Sequence, residues 1–221
     1  MVVGSLQTLS AAEISGKVKL DGTPKPEVEI QMDATCGKMH AGKVTTRHYV
    51  VGADKGLANV FVYIKKGAQK APPAADAAPM IDQVGCMYEP YVVGAVAGQD
   101  VTFKNSDPVL HNVHATPKVN KEFNIAQPLK GQMTKKQFNE PEVLVRIKCD
   151  VHPWMFSYVG VAENPYFAVT DKDGNFTIKN VPAGTYTVEA FHLKAGAKTQ
   201  EITVSDSDKK TAEFTLSVPA Q

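Results

Sequence analysis

The stretch VRIKCDVHPWMF, residues 145–156, ends an alternating apolar run with three side chains that can bind a metal ion. Cys149, His152 and Met155 follow one another with the spacing C-x2-H-x2-M. Thiolate and thioether sulfur favour Cu(I), and imidazole suits copper as well as zinc and iron. Three side chains rarely complete a site. The stretch therefore indicates a metal-binding loop only if the rest of the chain supplies a further ligand and a frame.

A second histidine-bearing segment, NSDPVLHNVH at residues 105–114, follows a predicted strand and contains His111 and His114. One of these imidazoles would complete a set of two His, one Cys and a weak axial Met, which is the ligand set of a blue-copper electron-transfer site. On a regular strand, side chains three residues apart face opposite sides. We interpret His111 as the ligand and His114 as a packing or surface residue. A turn that brings His114 near the metal is the alternative.

The composition of the chain is that of an ordinary soluble globular protein. Its 221 residues suit one large or two small domains, with 43% apolar and 21% charged residues. The formal net charge of +1 gives no support for nucleic acid or membrane lipid as a partner. No apolar run approaches the roughly 20 residues that a membrane-spanning helix needs, so we predict no membrane span.

Short runs of β-branched and aromatic residues recur along the chain with Gly and Pro turns between them, and no amphipathic helix pattern is convincing. This texture is typical of a β-sandwich or barrel, so we predict an all-β fold. In the strand that leads to Cys149, Val143, Val145 and Ile147 are expected to share one face. The strands predicted before residue 164 span residues 14–22, 57–67, 91–96, 100–104, 141–149 and 155–163.

The chain after Asn164-Pro165 forms a separate unit in this interpretation, because the residue before a proline favours a boundary. The run DGNFTIKNVPAGTYTVEA, residues 173–190, resembles the carboxypeptidase regulatory-like domain. The resemblance implies a small transthyretin-like β-sandwich over residues 164–221 and is silent on chemistry. Strands from the N-terminal part of the chain could complete either sandwich. The boundary near Glu163 is therefore a division of the sequence rather than of the three-dimensional structure.

The middle of the chain resembles the cupredoxins, blue copper proteins of the amicyanin and plastocyanin kind. The loop C-x2-H-P-aromatic-M is matched at residues 149–155, and the family's Pro-His-Asn-Val-His stretch is matched by LHNVH, with Leu110 in place of the proline. The further matches are MYEP, AGQDVTFKN and LKGQMTKK. The resemblance implies a Greek-key β-sandwich, predicted over residues 13–163 with loop insertions and preceded by a flexible N-terminus at residues 1–12.

The same resemblance implies one copper ion per chain and assigns its ligands. His111 and His152 would supply imidazole nitrogen, Cys149 thiolate sulfur and Met155 the axial thioether. Asn112 matches the asparagine that holds the ligand loop in place by a hydrogen bond, and such outer bonds orient ligands and tune a metal.

Pro153, Trp154 and Phe156 are apolar residues that adjoin these candidate ligands. One interpretation makes them the border of an apolar patch around an edge-exposed His152, over which a redox partner would dock through a small interface. For Trp154, the only tryptophan, we favour the other interpretation, in which it packs over the copper.

Cys36, Cys86 and Cys149 are the cysteines of the chain, so at least one of them is unpaired within it. Cys36 and Cys86 lie in loop-like settings, and we predict a disulfide between them; two reduced thiols are the alternative. A disulfide indicates an oxidising compartment. The N-terminus lacks the basic and apolar regions of a signal peptide, so we expect a periplasmic or otherwise exported protein whose signal has been removed.

The function that these features indicate is single-electron transfer rather than catalysis. The expected partner is a redox protein such as a c-type cytochrome or a dehydrogenase or reductase. A periplasmic copper-binding or delivery protein is the alternative, but the seven Met are scattered and form no Met-rich tract. A copper-dependent oxidoreductase is less favoured, since it needs a second metal or an open coordination position.

Overall fold

The computed structural model describes residues 11–73 and 78–220 and confirms the all-β prediction. Within these residues the only helices are α1 (Ala34–Gly37) and one 3-10 turn (Ala53–Lys55). No helix among them is long and apolar enough to cross a membrane. Most of the predicted flexible segment, residues 1–10, lies outside the described residues, and Ala12 already begins the first strand.

The strands are short and separated by turns, as the sequence pattern predicts. In chain order they are β1 (Ala12–Asp21), β2 (Phe61–Lys66), β3 (Met80–Val84), β4 (Met87–Glu89), β5 (Val92–Val96), β6 (Asp100–Asn105), β7 (His111–Thr116), β8 (Phe123–Gln127), β9 (Met133–Gln137), β10 (Glu142–Lys148), β11 (Phe156–Ala162), β12 (Phe167–Val169), β13 (Asn175–Val181), β14 (Gly184–His192), β15 (Gly196–Val204) and β16 (Lys209–Ser217).

The first β-sandwich consists of a sheet in the order β5-β11-β10-β7-β8 and a sheet in the order β4-β3-β6-β9. From β5 to β11 the chain crosses repeatedly between these two sheets, which is the connection pattern of a Greek-key sandwich. Their inner faces enclose one apolar core, in which Phe103, Val113, Val145 and Ile147 are fully or almost fully buried. The core extends to Cys149 and Met155, so the predicted ligand loop closes one end of this sandwich.

The second sandwich consists of sheets in the orders β13-β1-β16 and β12-β2-β14-β15. β1 lies between β13 and β16, and β2 between β12 and β14, so both N-terminal strands are inner strands here. Their buried side chains, including Ile14, Val18 and Val62, join one core with those of the C-terminal strands. The division of the chain at residue 163 stays a prediction; the sheets themselves combine strands from both sides of it.

Two glycines allow the sandwiches to approach closely. Gly94 of β5 pairs with Gly160 of β11, and a side chain at either would strike a ring of the second sandwich. A Cβ at Gly94 would lie 2.2 Å from Phe167, and one at Gly160 would lie 2.7 Å from Phe61. The absence of side chains at this pair lets both rings pack directly on the sheet that carries the ligand loop.

Strand β10 departs from the predicted alternation near its start. Leu144 has a positive φ of 58°, and the pairing with β11 shifts between Glu142 and Val145. Such a bulge moves the preceding side chains relative to the following ones. Val145 and Ile147 face the first core as predicted, whereas Val143 packs with Leu144 in the cluster between the sandwiches. The prediction that Val143 shares their face was wrong.

Candidate metal centre

The ligand loop, residues 149–155, connects two antiparallel strands. β10 and β11 pair until Lys148 lies opposite Phe156, so the chain must reverse within the residues between them. Within the loop, the Cys149 N–H donates to the Met155 carbonyl at 3.2 Å and the Met155 N–H to the His152 carbonyl at 3.0 Å. These bonds hold the loop compact and direct its potential ligands to the end of the core, where Cys149, His152 and Met155 are buried.

His111 reaches the loop from the neighbouring strand. β7 pairs with β10, and His111 is its first residue and has no exposed surface. The Nδ1 atoms of His111 and His152 are 3.0 Å apart, and His152 Nδ1 lies 3.7 Å from the Cys149 Sγ. One ligand atom from each of these residues lies within 4.8 Å of the other two. The structure therefore brings together three of the predicted ligands, and Met155 is buried in the same core cluster as Cys149.

Asn112 holds the loop in two ways. Its backbone N–H donates to the Cys149 Sγ at 3.3 Å. Its side chain donates to Asn124, which in turn donates to Asp150 of the loop at 2.6 Å. The role predicted for the side chain of Asn112 is thus shared with Asn124, and the sulfur receives its hydrogen bond from the backbone.

Burial and hydrogen bonding act against each other on the titrating groups of this cluster. Burial alone would raise the pKa of the Cys149 thiol, but the interaction with His111 and the hydrogen bond from the Asn112 N–H outweigh burial and lower the pKa. For His152, burial and the neighbouring His111 lower the pKa. For His111, burial opposes protonation, but the Asp107 carboxylate and Cys149 raise the pKa. These shifts favour a thiolate at Cys149 and a neutral imidazole at His152, the forms that bind metal.

Asp107 is a member of this cluster that sequence reasoning missed. Its Oδ2 lies 3.0 Å from the Nε2 of His111, and the residue is only 4% exposed. Its two carboxylate oxygens also accept the N–H groups of Gly85 and Cys86, each at 2.7 Å. The sequence does place Asp107 four residues before His111. The residues between them form a loop, however, so no regular strand or helix spacing predicts that the two side chains touch.

The predicted disulfide between Cys36 and Cys86 is present in the structure, with Cα atoms 5.7 Å apart. Cys36 lies in α1, whose N-cap Asp33 accepts the N–H groups of Thr35 and Cys36. The sulfur atoms of the disulfide and a ring nitrogen of His152 all lie within 4.8 Å of one another. Residues 33–40, here called the strap, are thereby fastened beside His152.

The strap changes the surface that the sequence predicts. The side chain of His152 is only 8% exposed, and its Nε2 lies 3.8 Å from the Asp33 carboxylate. Trp154 is half-buried, stacks at a tilt 5.3 Å from the His152 ring, and donates from Nε1 to the Cys86 carbonyl. Pro153 is exposed. The contact with the His152 ring agrees with the favoured packing role of Trp154. The alternative of an apolar patch around an edge-exposed His152 does not fit this surface, because the strap and its disulfide lie beside the imidazole.

His114 is not among the converging groups. Side chains of β7 alternate between the core and the surface, so His111 and His114 face opposite sides. The Nδ1 of His114 lies 2.9 Å from Asp150 and its Nε2 lies 2.7 Å from Glu122, and the hydrogen bond to Glu122 is the main cause of its raised pKa. Both ring nitrogens are engaged with carboxylates rather than with the cluster.

The donor set suits copper. One buried thiol with a lowered pKa, two imidazoles whose Nδ1 atoms face each other, and a buried thioether are the soft and borderline ligands that copper prefers. The other two converging groups in the described residues each include a cysteine of the disulfide, whose sulfur is not a free thiolate. The residues present therefore fit a copper ion held by His111, Cys149 and His152, with Met155 buried in the same core cluster as Cys149.

Comparison with known proteins gives matches to separate parts of the chain. The family model of the carboxypeptidase regulatory-like domain matches residues 159–217, in agreement with the resemblance of residues 173–190. No curated protein matches.

The similar solved structures are cupredoxins and a copper enzyme. A purple cupredoxin from Nitrosopumilus maritimus is 27% identical and covers 38% of this chain and 99% of its own, with a TM-score of 0.33. A Cu(I) form of an amicyanin variant is 26% identical over 46% of this chain and 98% of its own, with a TM-score of 0.35. A copper-containing nitrite reductase from Thermus scotoductus SA-01 is 21% identical over 45% of this chain and 25% of its own, with a TM-score of 0.33. At these TM-scores the similarities carry no argument about function, which has to rest on the site.

Proposed function

We propose that this protein is a mononuclear copper protein that transfers single electrons between redox partners. The observation that supports this is the convergence of one buried thiol and two imidazoles within 4.8 Å at the end of a β-sandwich. His111, Cys149 and His152 would hold the ion, and Met155 would be the weak axial ligand of a blue-copper set. One ion per chain is expected, because the remaining cysteines are joined in the disulfide.

When bound, copper supplies the one-electron couple between Cu(II) and Cu(I). The chain contributes a frame in which three of the proposed ligands lie close together without the metal. His111 lies on a strand paired to β10, the loop is closed by its own backbone bonds, and the Asn112 N–H stabilises negative charge on the Cys149 sulfur. Buried, close-packed side chains resist rearrangement, so a change of charge at the site requires little movement of the protein.

The proposed partner is a redox protein, such as a c-type cytochrome or a dehydrogenase or reductase, and the proposed compartment is periplasmic or otherwise exported. The disulfide supports the compartment, since such bonds persist in oxidising surroundings. Because the strap lies beside His152, the partner would meet the strap and the exposed Pro153 rather than a bare imidazole.

The test is the visible spectrum of the protein titrated with Cu(II). We expect an intense charge-transfer band that saturates at one equivalent and disappears in Cys149→Ser. His114→Gln is the matched control and should keep the band, because both nitrogens of His114 are engaged outside the cluster. A copper-loaded wild-type protein without an intense band would contradict the proposal, and so would an unchanged band in Cys149→Ser.

A chelator experiment separates electron transfer from copper delivery. In the proposed function the buried site retains Cu(I) against a soluble Cu(I) chelator over the time of a turnover with a redox partner. Rapid and complete transfer of Cu(I) to the chelator would favour copper delivery instead. Binding of a small exogenous ligand to the loaded site, detected as a shift of the visible band, would favour an enzyme.

A further inference from the structure

We propose that Asp107 is the positioning residue of this centre: its buried carboxylate fixes the ring tautomer of His111, so that Nδ1 presents its lone pair to the metal. This inference rests on the proposed copper site and adds a residue to it. It also explains how the disulfide-bearing turn and the ligand histidine are held in one arrangement.

The contact geometry determines which ring nitrogen is free. The Nε2 of His111 faces the Oδ2 of Asp107 at 3.0 Å, and its Nδ1 faces the Nδ1 of His152 at 3.0 Å. An ionised carboxylate only accepts hydrogen bonds, so the Nε2 must carry the proton. In the neutral imidazole the other nitrogen then has a lone pair. That nitrogen, Nδ1, is the one directed at His152 and the cluster.

The environment of Asp107 keeps its carboxylate ionised and immobile. Its oxygens accept the N–H groups of Gly85 and Cys86, each at 2.7 Å, in addition to the contact with His111, and donors of this kind favour the charged form of a carboxyl group. Its own N–H donates to the Asn105 Oδ1 at 2.9 Å, and Asn105 is anchored in turn on the carbonyls of Val109 and Gln127. An anion held in this way orients the ring bonded to it and increases the basicity of the opposite nitrogen.

An amide at position 107 cannot reproduce these contacts. The carboxylate accepts from Gly85 at Oδ1 and from both Cys86 and His111 at Oδ2, so each oxygen must be an acceptor. In Asp107→Asn one of these positions becomes an NH2 donor. In one orientation of the amide its NH2 group faces the Gly85 N–H, so two donors oppose each other. In the other orientation the NH2 group faces His111 Nε2. The second orientation favours the tautomer in which the metal-binding Nδ1 is protonated.

A purely structural role for Asp107 is the competing explanation, since the same carboxylate pins the turn at Gly85 and Cys86. The two roles predict different results at His111. A structural role changes the free energy of unfolding and leaves the properties of the ring nitrogen unaltered in the folded protein. A positioning role changes metal affinity, reduction potential and the hydrogen on Nε2 in protein that is still folded.

The experiment compares Asp107→Asn with Asp82→Asn in the full chain. Asp82 is a suitable control because it is a partly buried carboxylate that bonds Ser106 and Lys104, and none of its hydrogen bonds or ion pairs in the described residues joins it to a proposed ligand. Removing it also takes away one negative charge. Folding is verified by circular dichroism and by thiol titration, which should find one free cysteine in each variant, as expected when Cys36 and Cys86 stay paired.

The first measurement is Cu(II) affinity by chelator competition, and the second is the reduction potential. We expect Asp107→Asn to bind Cu(II) about 10- to 100-fold more weakly than wild type, the usual loss when the outer partner of a ligand histidine is removed. The potential should rise, because the lost anion stabilises Cu(II) more than Cu(I). Asp82→Asn should stay close to wild type in both measurements.

The third measurement is the Nε2 proton of His111 in the diamagnetic Cu(I) protein, observed by 1H–15N NMR. Wild type and Asp82→Asn should show a slowly exchanging Nε2 proton, and in Asp107→Asn it should exchange faster and shift. The positioning role is overturned if folded Asp107→Asn matches Asp82→Asn in affinity, potential and this resonance.

The outcomes also separate this inference from the proposed function. A wild-type protein with the intense visible band, together with an Asp107→Asn variant that behaves like the control, overturns only the role of Asp107. A wild-type protein without the band overturns the blue-copper function. In that case a selective loss of Cu(II) affinity in Asp107→Asn would still support the positioning of His111 by Asp107.

Discussion

The indole Nε1 of Trp154 donates a hydrogen bond to the backbone carbonyl of Cys86 at 3.1 Å. This bond joins the ligand loop to a residue of the disulfide, 68 positions away in the chain. The same indole lies against the ring of His152, with the centroids 5.3 Å apart. Trp154 therefore links the ligand loop to the disulfide, which in turn fastens the strap beside His152.

Replacing this tryptophan with phenylalanine should destabilise the protein modestly. Trp154→Phe keeps an aromatic ring beside His152 but removes the hydrogen bond to the part-buried Cys86 carbonyl. We expect a loss of about 1–3 kcal/mol in the free energy of unfolding, measured by urea denaturation. In wild type the intrinsic fluorescence comes from this single tryptophan and should be strongly quenched by Cu(II). An emission intensity that stays unchanged after one equivalent of Cu(II) has been added would contradict the placement of the indole beside the centre.

The disulfide should contribute a large part of the stability of the first sandwich. Cys36 and Cys86 are 50 positions apart, and closing a loop of that length corresponds to about 4 kcal/mol in the chain-entropy account. We expect the double variant Cys36→Ala/Cys86→Ala to lose stability on this scale in urea denaturation. It should also release the strap and expose His152 to chemical modification of imidazole in the metal-free protein. A variant whose His152 is modified no faster than in wild type would show that the strap stays in place without the disulfide.

The paired glycines should tolerate no side chain. In Gly160→Ala the new methyl group would meet the buried ring of Phe61, and overpacking of this kind costs about 1–3 kcal/mol. Gly42→Ala is the matched control, because a Cβ at that position meets no atom within 4 Å. Thermal unfolding should show a lower midpoint for Gly160→Ala only. Equal midpoints would mean that the two sandwiches are not packed through this glycine pair.

His192 should make stability depend on pH in mildly acidic solution. The ring is buried, its Nδ1 accepts the N–H groups of Lys194 and Ala195, and Tyr49 packs on it. Burial lowers the pKa of His192 to about 4, with Glu27 opposing and Lys194 supporting the shift.

The sign of this dependence follows from the lowered pKa. The unfolded chain, with a histidine pKa near 6.5, binds a proton more readily than the folded protein. The stabilisation is complete above about pH 6.5 and is lost as the pH falls to about 4, by about 3 kcal/mol in total. In His192→Asn, an acceptor remains but no proton binds. Its urea-denaturation stability should therefore fall less than that of wild type across this range, and parallel curves for the two proteins would contradict the assignment.

Local pattern was sufficient for the all-β class, for part of the strands and for the choice of candidate ligands, whereas β3, β4, β7, β8 and β9 were not predicted. Alternating β-branched residues and Gly or Pro turns predict strands, and they do so within a few residues of the observed bounds of β1, β6 and β10. The ligand assignment is a matter of residue type and order, which the motifs at residues 105–114 and 149–155 carry by themselves. It stays a prediction, and the structure supports it by bringing His111, Cys149 and His152 together.

Local pattern was insufficient wherever a contact joins distant segments. The positive φ of Leu144 turns Val143 away from Val145 without any glycine to signal it. The strap lies beside His152 through contacts that span more than 100 positions, and therefore the imidazole is covered where the loop alone indicated an exposed one.

The sequence by itself determined that the chain is all-β, that its C-terminal part resembles a regulatory-like β-sandwich, and which side chains are suited to copper. These properties depend on residue types at short spacings. Only the tertiary structure decided that β1 and β2 complete the second sandwich, that the disulfide strap covers His152, and that Asp107 holds the far nitrogen of His111. The reason is physical: side-chain chemistry is encoded residue by residue, whereas burial and hydrogen-bond partners depend on which distant segments pack together.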